Sequence, residues 1–454
     1  MSKILNIFLE LQTVILILQM MITQSTVLDK IPSKYISDSS FVLNALKAFS
    51  PKLKFYSSPK GHGKECTKAN PCKIKEGISK LKPGAQLFLR GGVYDVVEGL
   101  SIDIKGNSNN YIVISSYPGE KATITSSCNK SGHKSCKEVT LFNFEKNSGY
   151  IIIENLIFSN SIADNLQGIV FYGGGQNHII IRDNVFDSLK TTKNKTDGYE
   201  ANAILLEGEG KTVESAIKNI IIYHNKVINN VLGYSEAISI AGNCENIYVL
   251  NNTLKSNTNI GIDFNGNTNA CHTSNLDQPR KSVAIFNYVE KSRASYADNA
   301  GIYADGARDI YIYGNTVVDS PFGIEVGCEE LKHRNPITNI VVENNNLIGN
   351  TVTGIRVGGY KENLLSVKST EFKNNKISKS ETPIIIAKVD GITFKENEII
   401  GGKKYFIFME FSEEYTKNLK FIKNKFVGSC KIKIYGKLEY NLNQFINSKF
   451  NTNK

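Results

Sequence analysis

The chain has 454 residues, of which 41% are hydrophobic and 21% charged, with a formal net charge of +11. That apolar content excludes a disordered polymer, and no apolar run approaches the ~20 residues that a bilayer-spanning helix needs. Lys supplies nearly all of the positive charge and Arg occurs at only seven positions. Spread along the chain, without a basic helix or an aromatic–basic motif, this charge argues against a nucleic-acid partner. Asn is as abundant as a Lys-rich genome would make it, so the basicity reads as codon bias before it reads as selection.

In chain order, residues 1–25 carry Lys3 and the apolar segments Ile4–Leu9 and Val14–Ile22, interrupted by Glu10. They predict a secretory signal peptide cleaved near Thr23–Thr26, and hence a secreted, extracellular protein without stable membrane insertion. Residues 26–54 form an N-terminal extension. Cys66/Cys72 and Cys128/Cys136 are close in sequence, with polar loops between, and predict disulfides suited to an oxidising compartment. Cys244 and Cys271 are the expected third pair, leaving Cys328 and Cys430 over. Cys72–Leu81 predicts a short amphipathic helix with Ile74, Ile78 and Leu81 on one face, ended by Pro83-Gly84. With the strand Gln86–Leu89 behind it, this helix caps the open end of a long run of strand repeats.

The repeat occupies most of the remaining chain. One phrase, apolar-x-apolar-x-x-Asn-x-apolar, appears shortened at Asn155, then at Asn184, Asn225, Asn252, Asn315, Asn345, Asn375, Asn397 and Asn424. The copy at Val283-Ala284-Ile285 is expected to depart, with Tyr288 in the Asn place. A second phrase, small-apolar-x-apolar, alternates with the first, as in Ala237-Ile238-Ser239-Ile240, Gly261-Ile262-Asp263-Phe264 and Gly323-Ile324-Glu325-Val326. Both alternate with the period of strands. Two short strands and their turns, recurring roughly every 22–30 residues, describe the rung of a solenoid that buries its apolar face only by stacking. The predicted class is all-β, a parallel β-helix spanning residues 55–430, with 431–454 as C-terminal cap and tail. Recurring Asn suits hydrogen bonding up the stack and the left-handed backbone of a sharp corner.

The opening Pro71-Cys72…Ile78…Leu81-x-Pro83-Gly84…Leu87-x-Leu89-x-x-Gly92-x-Tyr94, followed by these repeats, resembles secreted right-handed parallel β-helix proteins of the pectate-lyase-like superfamily. The opening is most similar to polysaccharide lyase family 9. The middle is similar to β-helix repeat proteins through Gly261-Ile262-Asp263, Asp277-Gln278-x-Arg280, Ala304-Asp305-Gly306 and Gly323-Ile324-Glu325. The Asp-Asp-Gly-Phe-Asp calcium motif of family 9 is absent; Asp197-Gly198-Tyr199 is an echo of it.

If the Ile of each second phrase faces inward, the next residue faces outward. Stacking then gives one outward column, Val170, Leu205, Ser239, Asp263, Tyr303, Glu325, Arg356, and a parallel one, Tyr172, Glu207, Ala241, Asn265, Asp305, Gly327, Gly358. Asp263, Asp305 and Glu325 thus share a wall. Their repulsion is relieved by a bound Ca²⁺ or by a shared proton in an acid/base pair. Arg356 is placed to pair with Glu325 or to bind a substrate carboxylate. Tyr303 is either a stacked surface aromatic or a functional group, as a sugar platform or a proton donor. Asp277 and Arg280 form either a loop-internal salt bridge or an active-site wall. Glu207 and Glu236 extend the site at one side.

The resemblance implies a polysaccharide lyase that cleaves an acidic, uronate-containing polymer by calcium-assisted β-elimination. Asp263, Asp305 and Glu325 would hold the Ca²⁺, and Arg356, Arg280, Lys281 or Lys332 would be the base. The basic net charge would draw in the polyanion. A glycoside hydrolase using the same carboxylates and a non-catalytic glycan-binding solenoid are the alternatives, and a monomer is expected in each case.

Overall fold

In the computed structural model the described residues are 29–44, 49, 51–128, 137–297, 299–330, 332–359, 366–403, 405–410, 416–433, 439–441 and 444–446. The signal-peptide segment, Cys136 and most of the C-terminal tail lie outside them. Among the described residues the chain winds into three parallel sheets of 16, 12 and 13 strands. In each sheet, strands from successive rungs are neighbours. Each rung therefore has three strands where the sequence predicts two. The reason is the Asn corner. Strand Asn177–Arg182 ends at Asp183, whose φ of 57° turns the chain, and Val185–Thr191 starts the next sheet.

The inward columns are apolar, as expected. Ile151, Ile179 and Ile220 are in register and fully buried, as are Ile153, Ile181 and Ile222. Aromatic rings stack along the axis too: Phe372, Phe394 and Phe421 stand 4.7 and 4.8 Å apart with their planes nearly parallel. The capping helix is present at Ile74–Ser79 and packs on the first rungs through Ile78.

The recurring geometry of the corner is a ladder. Asn184, Asn225, Asn252, Asn287, Asn315, Asn345, Asn375, Asn397 and Asn424 are stacked and buried. Each donates its backbone N–H and its Nδ2 to the Oδ1 of the next at 2.8–3.1 Å. Asn287 fills the place where the sequence pattern puts Tyr288, so that copy does not depart from the repeat. The residue before each ladder Asn has the positive φ, even where it is Phe286 (55°). The ladder Asn supplies hydrogen bonds, and its predecessor supplies the bend.

Residues 29–44 lie across the outside of the 16-stranded sheet. There an outward apolar column, Val113, Ile152, Ile180, Ile221, Tyr248, Val283 and Tyr311, runs in register up the solenoid. Ile31, Tyr35, Phe41 and Val42 pack on it. Tyr35 stacks on Tyr311, and Tyr248 Oη donates to the Tyr35 carbonyl at 2.9 Å.

Cys66–Cys72 is a disulfide, as predicted, and Cys128 is disulfide-bonded. The expected third pair is not formed: Cys244 and Cys271 are free and buried, as are Cys328 and Cys430. Cys244 opens the strand Cys244–Leu250 with its side chain in the core, and its thiol donates to the Ala241 carbonyl. The Cys271 thiol instead donates to Gly210 O.

Replacing Asn315 by Ala leaves the buried N–H and Nδ2 of Asn287 without their acceptor. The expected loss is about 1–3 kcal/mol in urea denaturation. A loss within error would show that the ladder does not hold the rungs.

Candidate functional site

The small-apolar-x-apolar phrases form the 12-stranded sheet, and the outward columns have the predicted register. Val170, Leu205, Ser239, Asp263, Tyr303, Glu325 and Arg356 are successive partners, as are Tyr172, Glu207, Ala241, Asn265, Asp305 and Gly327. A third outward column joins them: Gln167, Asn202, Glu236, Ile260. Glu236, Asp263 and Asp305 therefore lie on a diagonal over three consecutive rungs.

This face is not open throughout. Asp263 and Tyr303 are 0% exposed, Glu325 1% and Arg356 2%. Loops between the strands fold over it. Asp277 is fully buried and accepts from the backbone N–H of Asn269 and Cys271, and His333 Nδ1 sits 2.9 Å from it. It ties the 266–279 insertion to the 328–336 loop and so builds a wall. Glu329 N–H, on the second loop, donates to Asp305 Oδ1 at 3.0 Å.

Between these walls runs a groove of about 830 Å³ crossing six rungs, from Glu138 and Asn143 to Asp305. Its carboxylates are Glu138, Asp197, Glu200, Glu207, Glu236, Asp263, Asp305, Glu329 and Glu330. Among the described residues no Lys, Arg or His lines it. Val170, Leu205 and Ile260 give it an apolar floor, and Tyr172 and Tyr234 stand exposed at its edges.

The structure divides the predicted site residues into two groups. Asp263 and Asp305 are in the groove. Glu325 and Arg356 are outside it and paired with each other: Arg356 Nη1 meets Glu325 Oε1 at 2.8 Å, while its Nη2 meets Glu410 at 2.9 Å. Of the two readings for Arg356, the ion pair is the one observed. Tyr303 is packed with Ile260, Ala300 and Phe322, so it cannot present a ring to a sugar. Arg280 and Lys281 start a strand of the 16-stranded sheet, where both hold Glu245, at 3.0 and 2.6 Å. Neither lines the groove, and Asp277 pairs with His333 rather than with Arg280. Lys332 is not in the lining; it follows Glu329 and Glu330 on the 328–336 loop, 65% exposed, with Glu330 3.9 Å away.

The groove carboxylates are electrostatically loaded. Burial, then the charge of Asp305 and Glu236, raises Asp263 well above the usual carboxylate range. Burial, then Glu329, does the same to Asp305. Burial pushes Glu236 up to about 7, although Ser239 and Ser235 hydrogen-bond to it. Both Asp263 oxygens and Asn265 Oδ1 are buried with no hydrogen-bond donor within reach among the described residues. Such a set of oxygen acceptors, next to the Asp305 carboxylate one rung on, fits a hard cation that takes several oxygen ligands in flexible geometry. No three His, Cys, Asp or Glu side chains among the described residues already converge on one point. A bound ion would therefore draw on Asn265 or on small side-chain rotations.

These charges generate two expectations. Groups whose folded pKa is raised stabilise below their unfolded value and cease to as pH rises through the folded one. Without added cation, the melting temperature should thus fall between about pH 4.5, the ordinary Glu value, and about pH 7, where Glu236 titrates. Asp263→Asn should flatten this fall; a profile identical to wild type would refute the shared electrostatic load. Arg356→Met should cost about 3–5 kcal/mol, because it removes the counter-charge of the buried Glu325. Recovery of most of that loss in the Arg356→Met/Glu325→Gln double variant, read by urea denaturation, is the confirming result.

Residues 282–453 match the family model described as "Right handed beta helix region", and the solenoid is a right-handed parallel β-helix. The chain is 29% identical over 339 residues to the uncharacterized protein YwoF of Bacillus subtilis (strain 168), covering 72% of this chain and 69% of that one. Among solved structures it is similar to a mannuronic acid specific polysaccharide family 6 lyase from human gut microbiota. The identity is 14% and the TM-score 0.52, over 88% of this chain and 91% of the other. The PL6 family alginate lyase AlyGC is matched at 14% identity and TM-score 0.51, over 86% of this chain and 53% of that one. At such identities the likeness is one of fold.

Proposed function

On this β-helix with its acid-rich groove, we propose that the chain is a secreted carbohydrate-active enzyme, a polysaccharide lyase that cleaves a uronate-containing glycan lying across the rungs. The lyases of like fold support it. The observation that carries it is the set of buried acceptors without donors, Asp263 Oδ1 and Oδ2 and Asn265 Oδ1. Among the described residues no side-chain cation in the lining can hold a uronate. A calcium ion on Asp263, Asn265 and Asp305 would supply the charge that binds the uronate carboxylate and acidifies the proton beside it. Glu325, spent on Arg356, drops out of the predicted ligand set.

The chain's own groups do the rest. The amine of Lys332, on the loop whose Glu329 and Glu330 line the groove, takes the proton from the carbon next to the carboxylate. The bond from the neighbouring carbon to the glycosidic oxygen breaks, and a double bond forms between the two carbons. Glu236, protonated up to about pH 7, donates a proton to the departing oxygen. Export through the residue 1–25 leader puts the protein where such polymers occur, and the Cys66–Cys72 disulfide suits that compartment.

The test is a panel of polyuronates assayed with and without chelator. Near-ultraviolet absorbance of the unsaturated product should appear only with calcium, and Asp263→Asn should lower the rate by roughly 100-fold or more. New reducing ends without that absorbance would favour hydrolysis by Glu236 and Asp263, which the raised pKa of Glu236 also suits. Binding without any cleavage would leave a glycan-binding solenoid.

A further inference from the structure

The groove is asymmetric along its length, and that asymmetry bears on the polymer it takes. At one end, on the strands Ile260–Asn265 and Ala300–Asp305, stand Asp263, Asn265 and Asp305. Asp263 lies in the groove wholly buried with both oxygens lacking a donor among the described residues, which marks this end as the place of a positive charge. Towards the N-terminal rungs the groove continues over Leu205 and Val170, in the same column as Asp263 and two and three rungs away. At about 4.8 Å per rung this is roughly 10–14 Å, one or more sugar units beyond the cation end.

The walls of that N-side half are Glu207, Glu200, Asp197 and Glu138, with no cationic side chain among the described lining residues. A homopolyuronate would place its next carboxylates among these acids. Among the described residues, the arrangement that invites a cation is at the far end. A sugar without negative charge, by contrast, meets an apolar floor, acceptors for its hydroxyl or amide hydrogens, and the exposed Tyr172 at the edge.

Resting on the lyase reading, we infer that the substrate is a mixed polymer in which the uronate is flanked by an uncharged or amino sugar, and that Glu200 and Glu207 reject homopolyuronates. This is selection by repulsion as much as by attraction. It also confines the supporting role of the positive net charge to the surface outside the groove.

The experiment compares kcat/KM at saturating calcium on polygalacturonate and polymannuronate with that on hyaluronan and the rhamnogalacturonan backbone. The last two distinguish an N-acetylamino flanking sugar from a neutral one. Wild type should favour at least one alternating polymer by about 10-fold or more, and Glu200→Gln/Glu207→Gln should close the gap by raising the homopolymer rate. Raising the ionic strength with wild type should narrow the gap in the same direction, a readout that needs no variant. Preference for a homopolyuronate, or a ratio moved by neither the substitutions nor salt, would overturn the inference and leave the lyase reading in place. No unsaturated product from any of the four polymers would overturn the lyase reading, and this inference with it.

Discussion

The buried asparagine ladder is the constraint on which the rest of this structure depends. Each rung of a parallel solenoid is held to the next mainly by backbone bonds, and a slip of one residue would turn every side chain to the other face. The ladder forbids that slip at one corner of each rung from Asn184 to Asn424, because each side chain accepts two bonds from its neighbour and donates one onward. The corner residue before it takes the left-handed conformation, so the chain turns at the same place every time. With the corner pinned, the 12-stranded sheet keeps its outward columns aligned, and acids far apart in sequence share one wall.

That wall is electrostatically costly, and the fold contains the cost in two different ways. Where Glu325 is buried, Arg356 stands on the next rung and Glu410 completes the pairing. Such a unit serves the packing of the solenoid. Where Asp263 and Asp305 are buried, no basic side chain pairs with them among the described residues, and the carboxyls are held towards their protonated forms instead. A protein with a net charge of +11 has cations to spare, so their absence from the described lining is a feature of the groove and not of the composition. Two neighbouring segments of one sheet face thus have opposite characters, one neutralised by a counter-charge and one held towards its protonated forms.

The loops set the border between them. The 266–279 insertion and the 328–336 loop are joined by Asp277 and His333, and the second loop reaches Asp305 through Glu329. Together they make a channel of what would otherwise be a flat sheet face. Across the solenoid, residues 29–44 cover an apolar column that no rung buries by itself. Both devices add to the repeat from outside it.

The repeat phrases are enough to read the class, the solenoid axis, the inward isoleucines and the register that puts Asp263 beside Tyr303 and Asn265 beside Asp305. These rest on alternation, a local property written in consecutive residues. Three strands per rung instead of two, and Asn287 in the ladder, escape such a reading because the corner lies inside the phrase and shows only as a backbone angle. The fate of the charges escapes it for a different reason. Glu245 claims Arg280 and Lys281, Glu325 and Glu410 claim Arg356, and Tyr303 is roofed over, all through partners remote in sequence. Glu236 stands in the sequence only as a flanking acid, and its place on the diagonal with Asp263 and Asp305 depends on three rungs being stacked. Periodicity determines which side of a strand a residue faces; only the packed loops and neighbouring rungs decide whether that side meets water, a counter-charge or a walled groove.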